Sequence, residues 1–233
     1  MSVLTASQSA ALRLQGTRPA TFFSSNSTFE REIVDLVNEV ADDIASAKEW
    51  RALTKLYELT GDGTTEGFDL PADYDRMPTN GVVFRPDWST WCYTPARTLD
   101  QFQYLRNGQP APQPGAWIIL EGQMKFQPPI ATGDRAQFFY LTKNWARSSG
   151  GISKSAFTAD DDTYLLDERL LTLGLIWRWK AQKGLEYAED LSNYDRRLEE
   201  ISGRDSAPRI HAEGRATFGY AANVAYPWPL GQP

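Results

Sequence analysis

One histidine (His211) and one cysteine (Cys92) are the scarcest chemical groups in this chain of 233 residues. A lone cysteine cannot close an intramolecular disulfide, so nothing marks an oxidising compartment, and assembly in a cytoplasm fits. A lone histidine rules out a second site for Ser–His–Asp or Cys–His chemistry. His211 lies between Ile210 and Ala212 near the C-terminus and reads as an exposed tail residue. Cys92, between Trp91 and Tyr93, reads as a small buried hydrophobe rather than a nucleophile. The two together cannot build a structural zinc site. The chain is therefore expected to carry no catalytic residues, no cofactor and no metal, and not to be an enzyme.

Long apolar runs are also missing. The best stretch, Leu170 to Trp179, is cut by Gly174 and Arg178 and falls short of a membrane span. Met1 to Pro19 has no apolar core of a signal peptide, so neither membrane contact nor export is expected. The net charge of −6 argues against a broad basic face for gripping nucleic acid, but does not exclude a protein that lets DNA slide past without sticking. What the chain has in quantity is aromatic surface, 12% of residues with eight tryptophans, the kind of side chain that fills cores and anchors interfaces.

Hydrophobic spacing divides the chain. After an N-terminal extension (1–26), Ser27 and Glu30 form a capping-box pattern. Phe29, Ile33, Leu36, Val37, Val40 and Ile44 then recur at helical spacing, predicting a helix over 27–50. Its other face is acidic: Asp35, Glu39, Asp42 and Asp43. From about 51 to 159 short alternating segments are broken by turns and prolines, predicting a β-rich region with one helical turn at Ala72 to Met77. Helical spacing returns over 160–203, with Asp160, Asp161 and Asp162 as N-cap, Gly184 as a cap or kink and Gly203 as the closing glycine. Trp177 and Trp179, two apart, are expected on different faces, one in the core and the other near an interface. The last segment, 206–233, lacks helical period and carries Phe218, Tyr220, Tyr226 and Trp228 among prolines. Extended, its 28 residues reach on the order of 90 Å, which suits a docking arm.

Carboxylate chemistry finds little support. Asp160 to Asp162 lacks the ligand spacing of a calcium loop. Glu58 or Asp62 has the right chemistry to join another acid in glycoside hydrolysis, but thirty acidic residues offer such pairs by chance. Gly61-Asp62-Gly63 is a turn without the lysine of a phosphate loop.

Three stretches resemble tailed-phage head–tail adaptors, the class related to podophage tail tubular protein A and tail accessory factors. Phe29 to Glu39 with Ala47-Lys48-Glu49-Trp50 resembles their N-terminal helix. Tyr57-Glu58-Leu59 followed by Phe68 to Met77 resembles their strand and Leu-Pro-acidic-Tyr turn. Leu166 to Leu185 with Tyr187, Asp190 and Tyr194 resembles their paired C-terminal helices. The resemblance implies a structural virion protein at the head–tail interface. It would form a homo-oligomer, a dodecameric ring under the portal, that joins portal to tail or neck proteins and passes double-stranded DNA without specific binding. The expected fold is α+β and mainly helical: a small antiparallel helix bundle from both chain ends (adaptor domain 27–205), a β-rich insertion and an extended C-terminal arm. Phe218, Tyr220, Tyr226 and Trp228 are expected to dock on the portal, and Asp35, Glu39, Asp42 and Asp43 to face the channel. The alternatives are a tail-associated peptidoglycan hydrolase and a carbohydrate- or receptor-binding module.

Overall fold

The computed structural model describes residues 2–86, 92–108, 110–112 and 114–205. In chain order the elements are helices α1 (Val3–Gln15) and α2 (Thr28–Ala47), then strands β1 (Thr54–Thr60), β2 (Gly67–Asp69), β3 (Tyr74–Arg76), β4 (Val83–Phe84) and β5 (Cys92–Pro95). Helix α3 (Leu99–Arg106) precedes β6 (Ala116–Leu120), β7 (Gln123–Gln127) and β8 (Arg135–Thr142). Three two-residue strands follow, β9 (Ala146–Arg147), β10 (Ser153–Lys154) and β11 (Thr163–Tyr164), and then α4 (Glu168–Gln182) and α5 (Ala188–Asp205).

The expectation of a mainly helical bundle with a β insertion is corrected. Helix takes 39% and strand 22% of the described residues; apart from a small sheet of β9, β10 and β11, the other eight strands build a nearly closed, barrel-like sheet. Its order is β1-β8-β4-β5-β6-β7-β2, with β3 also on β8. The end strands β1 and β2 are joined only by residues 61–66, a link that spans at most roughly 25 Å, so the sheet must curl. The sheet also has its own core. Met124 and Phe126 on β7, and Ala136 and Phe138 on β8, are fully buried at every second position, the two-residue period of a half-buried strand. Leu59, Val83, Tyr93, Trp117 and Tyr140 complete this cluster. A region with that much private core is half of the fold and not an appendage to a bundle.

The helices make no up-and-down bundle either. Helix α4 is the central rod, and α1, α2 and α5 each pack on it. Val3, Ala6, Ala10 and Ala11 on α1 are small and buried, which lets that helix lie close. At Gly174 the missing side chain leaves room for Val40 of α2 and Tyr194 of α5. The core continues through Trp145, Phe157 and Tyr164, whose rings meet edge to face with centroids 4.9 to 5.8 Å apart.

Several local expectations change. Ser27 sits at the N-cap of α2 but its side chain makes no cap bond, so the capping box is not formed. Ala72 to Met77 is no helical turn: Tyr74 and Arg76 pair with Thr142 and Leu141 of β8. Helix α4 starts at Glu168, with the Asp167 carboxylate accepting the Leu170 N–H at 2.7 Å, so Asp160 to Asp162 cap nothing there. Gly184 does close α4, with φ +68 and Leu185 N–H donating to the Lys180 carbonyl at 2.9 Å, the pattern of a C-terminal glycine cap. Gly203 lies inside α5. Residues 3–15, read only as an extension, form a helix because their alanines and Val3 find a buried partner in α4.

Candidate assembly surface

Two of the three aspartates before α4, Asp160 and Asp162, are a clamp on the N-terminal segment. The Asp160 carboxylate accepts the Phe22 N–H at 2.9 Å, and the Asp162 carbonyl accepts the Val3 N–H at 2.7 Å. The Asp162 side chain is 1% exposed, paired with Lys154 at 2.7 Å, and accepts the N–H groups of Thr158 and Ala159. Burial pushes its pKa up, but the Lys154 bond and the two backbone donors outweigh burial and hold it below the usual range. A half-buried carboxylate marks the sheet. Asp73 accepts from Lys55, Tyr140 and Thr142, and despite its burial these bonds lower its pKa to about 2.

The acidic face of α2 is exposed but largely engaged. Arg178 of α4 bridges Glu39, at 3.1 Å, and Asp43. Asp42 accepts the Trp145 indole N–H at 3.2 Å. Asp35 stands beside Asn38 in the shallow cavity behind Phe23. Sequence spacing puts the four acids on one face, while their partners come from distant segments that spacing cannot identify.

Of the paired tryptophans, Trp179 is 9% exposed, meets Phe29 edge to face at 5.8 Å and donates to Glu32. Trp177 packs between Tyr187 and Tyr194. On the outer side of α1, α4 and α5 lies a groove of about 470 Å³ containing Arg13, Arg169, Arg196 and Arg197. Arg197 is tied to Asp167 at 2.9 Å and to Glu200 at 3.0 Å. This ion-paired wall joins α5 to the start of α4.

The sheet carries an outward apolar row that sequence reading missed. Leu56 on β1 is paired in register with Phe139 on β8, and they are 53% and 47% exposed. Phe84 lies on the same outward side of β4, since its neighbour Val83 faces the core. The alternation of β1 was the available signal, but its partner strand is far away in sequence. The expected docking residues Phe218, Tyr220, Tyr226 and Trp228, and His211, lie outside the described residues. The last described residue is placed, however: the Asp205 carboxylate accepts the Arg51 N–H at 2.9 Å, three residues before β1.

Cys92 is half-buried and its thiol is pushed up by burial, the opposite of an activated nucleophile. Among the described residues no cluster of metal-ligating side chains occurs, and no helix is long and apolar enough to cross a membrane.

A family model described as SU10 adaptor protein matches residues 1–216. The chain belongs to the SU10 adaptor protein family. It is a phage adaptor, a structural component of the particle, as the resemblance to head–tail adaptors implied. The family implies that this adaptor meets portal and tail proteins. A comparison with curated proteins finds no match.

Proposed function

We propose that this adaptor forms a dodecameric ring beneath the portal, joins portal to tail, and continues the DNA channel. The observation that carries the reading is family membership over residues 1–216, nearly the whole chain. Two structural features support it. An exposed apolar row on a sheet suits a partner surface, because such surface gains from leaving water. The acidic face of α2 suits a channel wall that repels phosphate, with Asp35 and Asp42 contributing most, since Glu39 and Asp43 share the charge of Arg178. The family is structural, which disfavours the hydrolase alternative.

The test is assembly with the portal. Purified chain mixed with portal should yield one complex whose mass, by native mass spectrometry, corresponds to twelve copies per portal ring. Chain that stays monomeric beside intact portal rings would remove the ring reading. Clearing of a cell-wall substrate by the pure chain would revive the hydrolase alternative.

A further inference from the structure

Helix α5 carries opposite charge on its two flanks. Leu191, Tyr194 and Leu198 set its inner face, packed on the helical core. At roughly 100° per residue, Asp195 and Arg197 point about 160° apart, one to each side of that face. The cavities beside the helix agree. Arg196 and Arg197 share the groove of about 470 Å³ with Arg13 of α1 and Arg169 of α4. Asp195 lines a separate cavity of about 580 Å³ with Glu186, Tyr187 and Leu191.

Each flank keeps charge that the fold does not use. In the groove Arg197 is tied to Asp167 and Glu200, whereas Arg13, Arg169 and Arg196 form no ion pair among the described residues. Of these, Arg196 donates to the Asn193 side-chain oxygen at 2.7 Å. On the other flank Asp195 and Glu199, one turn apart and exposed, likewise form no ion pair among the described residues. Exposed apolar side chains accompany both sets: Leu12, in the last turn of α1 with Arg13, at 52%, and Leu185 and Tyr187, just ahead of α5, at 50% and 39%. We infer that the arginine groove of one copy receives the acidic flank of α5, centred on Asp195 and Glu199, from a neighbouring copy. This rests on the ring reading and names its contact between copies, while leaving the acidic face of α2 to the channel.

A second copy is the occupant because both halves of the contact lie on one chain. A ring is closed by a heterologous interface, in which one side of each copy meets a different side of the next. Patches of opposite charge on opposed flanks supply that arrangement, whereas a contact with portal calls for only one of them. Charge complementarity fixes the register and disfavours groove on groove or flank on flank, since like charges would then meet. Arginine suits the groove, because its planar head grips a carboxylate through two donors at once. The apolar neighbours Leu12, Leu185 and Tyr187 add area that gains from leaving water.

The test mixes two full-length variants with portal rings. Arg13→Glu with Arg169→Glu reverses the groove, and Asp195→Arg with Glu199→Arg reverses the flank. Each alone should lower the yield of chain–portal complex about tenfold, because like charges then face each other at every contact. Mixed in equal parts they should assemble again, since each reversed patch finds its complement on the other variant, and native mass spectrometry should show rings holding equal numbers of the two. Either variant assembling alone as well as wild type overturns the inference. So do two variants that are folded by circular dichroism yet fail when mixed, a result that assigns these charges to portal or tail instead. If a reversal prevents folding, the neutral pairs Arg13→Gln with Arg169→Gln and Asp195→Asn with Glu199→Gln replace it; each should lower the yield about threefold, and no loss overturns the inference. Wild-type chain that forms no ring with portal sinks the ring reading, whereas a wild-type ring indifferent to these substitutions sinks this contact alone.

Discussion

Adding one methyl group at Gly174 should destabilise the adaptor, although alanine is the better helix former. A Cβ there would lie more than 1 Å inside ordinary carbon–carbon contact with Val40 Cγ1, taken as about 3.8 Å, and 3.4 Å from the Tyr194 ring. Val40 is 2% exposed and β-branched in a helix, where one rotamer dominates, so it cannot swing aside cheaply. Helices α2 and α4 must separate instead. Overpacking of this kind costs about 1–3 kcal/mol, against a gain of about 1 kcal/mol from helix propensity. Gly174→Ala should therefore lower stability by about 1 kcal/mol, read as a lower urea midpoint at unchanged slope. The double variant Gly174→Ala, Val40→Ala removes the clash and should be more stable than the two single effects added together by the whole overpacking cost, about 2 kcal/mol. A stabilised Gly174→Ala, or strict additivity in the double variant, would refute the claim that this glycine exists for helix approach.

Three further outcomes follow from the charged groups. Asp73 has a folded pKa depressed to about 2, so its contribution is full above the unfolded value near 4 and is lost as pH falls from about 4 to 2. The loss should be about 2 kcal/mol, and urea midpoints of Asp73→Asn should not show that acid-dependent fall. Asp162→Ala strands Lys154 and two backbone donors beside a buried site, so a cost of about 3 kcal/mol is expected, with faster amide exchange at Thr158 and Ala159 reporting the loss of their acceptor. Arg178→Ala breaks pairs with two exposed acids and should change the urea midpoint by no more than about 1 kcal/mol, since exposed pairs are worth little.

How far the sequence announces this structure depends on the range of the interactions. The stripe from Phe29 to Ile44 is legible because helix spacing is local, and α2 forms where it predicts. Helix α1 was missed because its buried face is alanine and serine, which give a weak periodic signal; only α4, far along the chain, gives that face a partner. Asp160 to Asp162 lie directly ahead of a helical pattern and so look like caps. The carboxyls of Asp160 and Asp162 are instead claimed by backbone N–H groups of Phe22, Thr158 and Ala159, and a nearer aspartate, Asp167, caps α4. The size of the sheet was underestimated for a related reason. A strand such as β4 is two residues long, too short to show alternation, yet it is held in place by register with the longer β8.

The candidate site follows the same rule at longer range, and this bears on how such an adaptor works. An acidic helix face can be read from one segment, but whether its charge is free to act requires knowing that Arg178 and Trp145 reach it. An apolar row across β1 and β8 exists only once their register sets Leu56 opposite Phe139. Core residues are recognisable because burial imposes a period on one element at a time, whereas a docking surface is assembled from the outward residues of several. Those outward residues are what remains after the core is satisfied, so their apolar character is unexplained by folding. Leu56, Phe139 and Phe84 are such residues: each is partly exposed, and only the register of β1, β8 and β4 sets them on one side of the sheet.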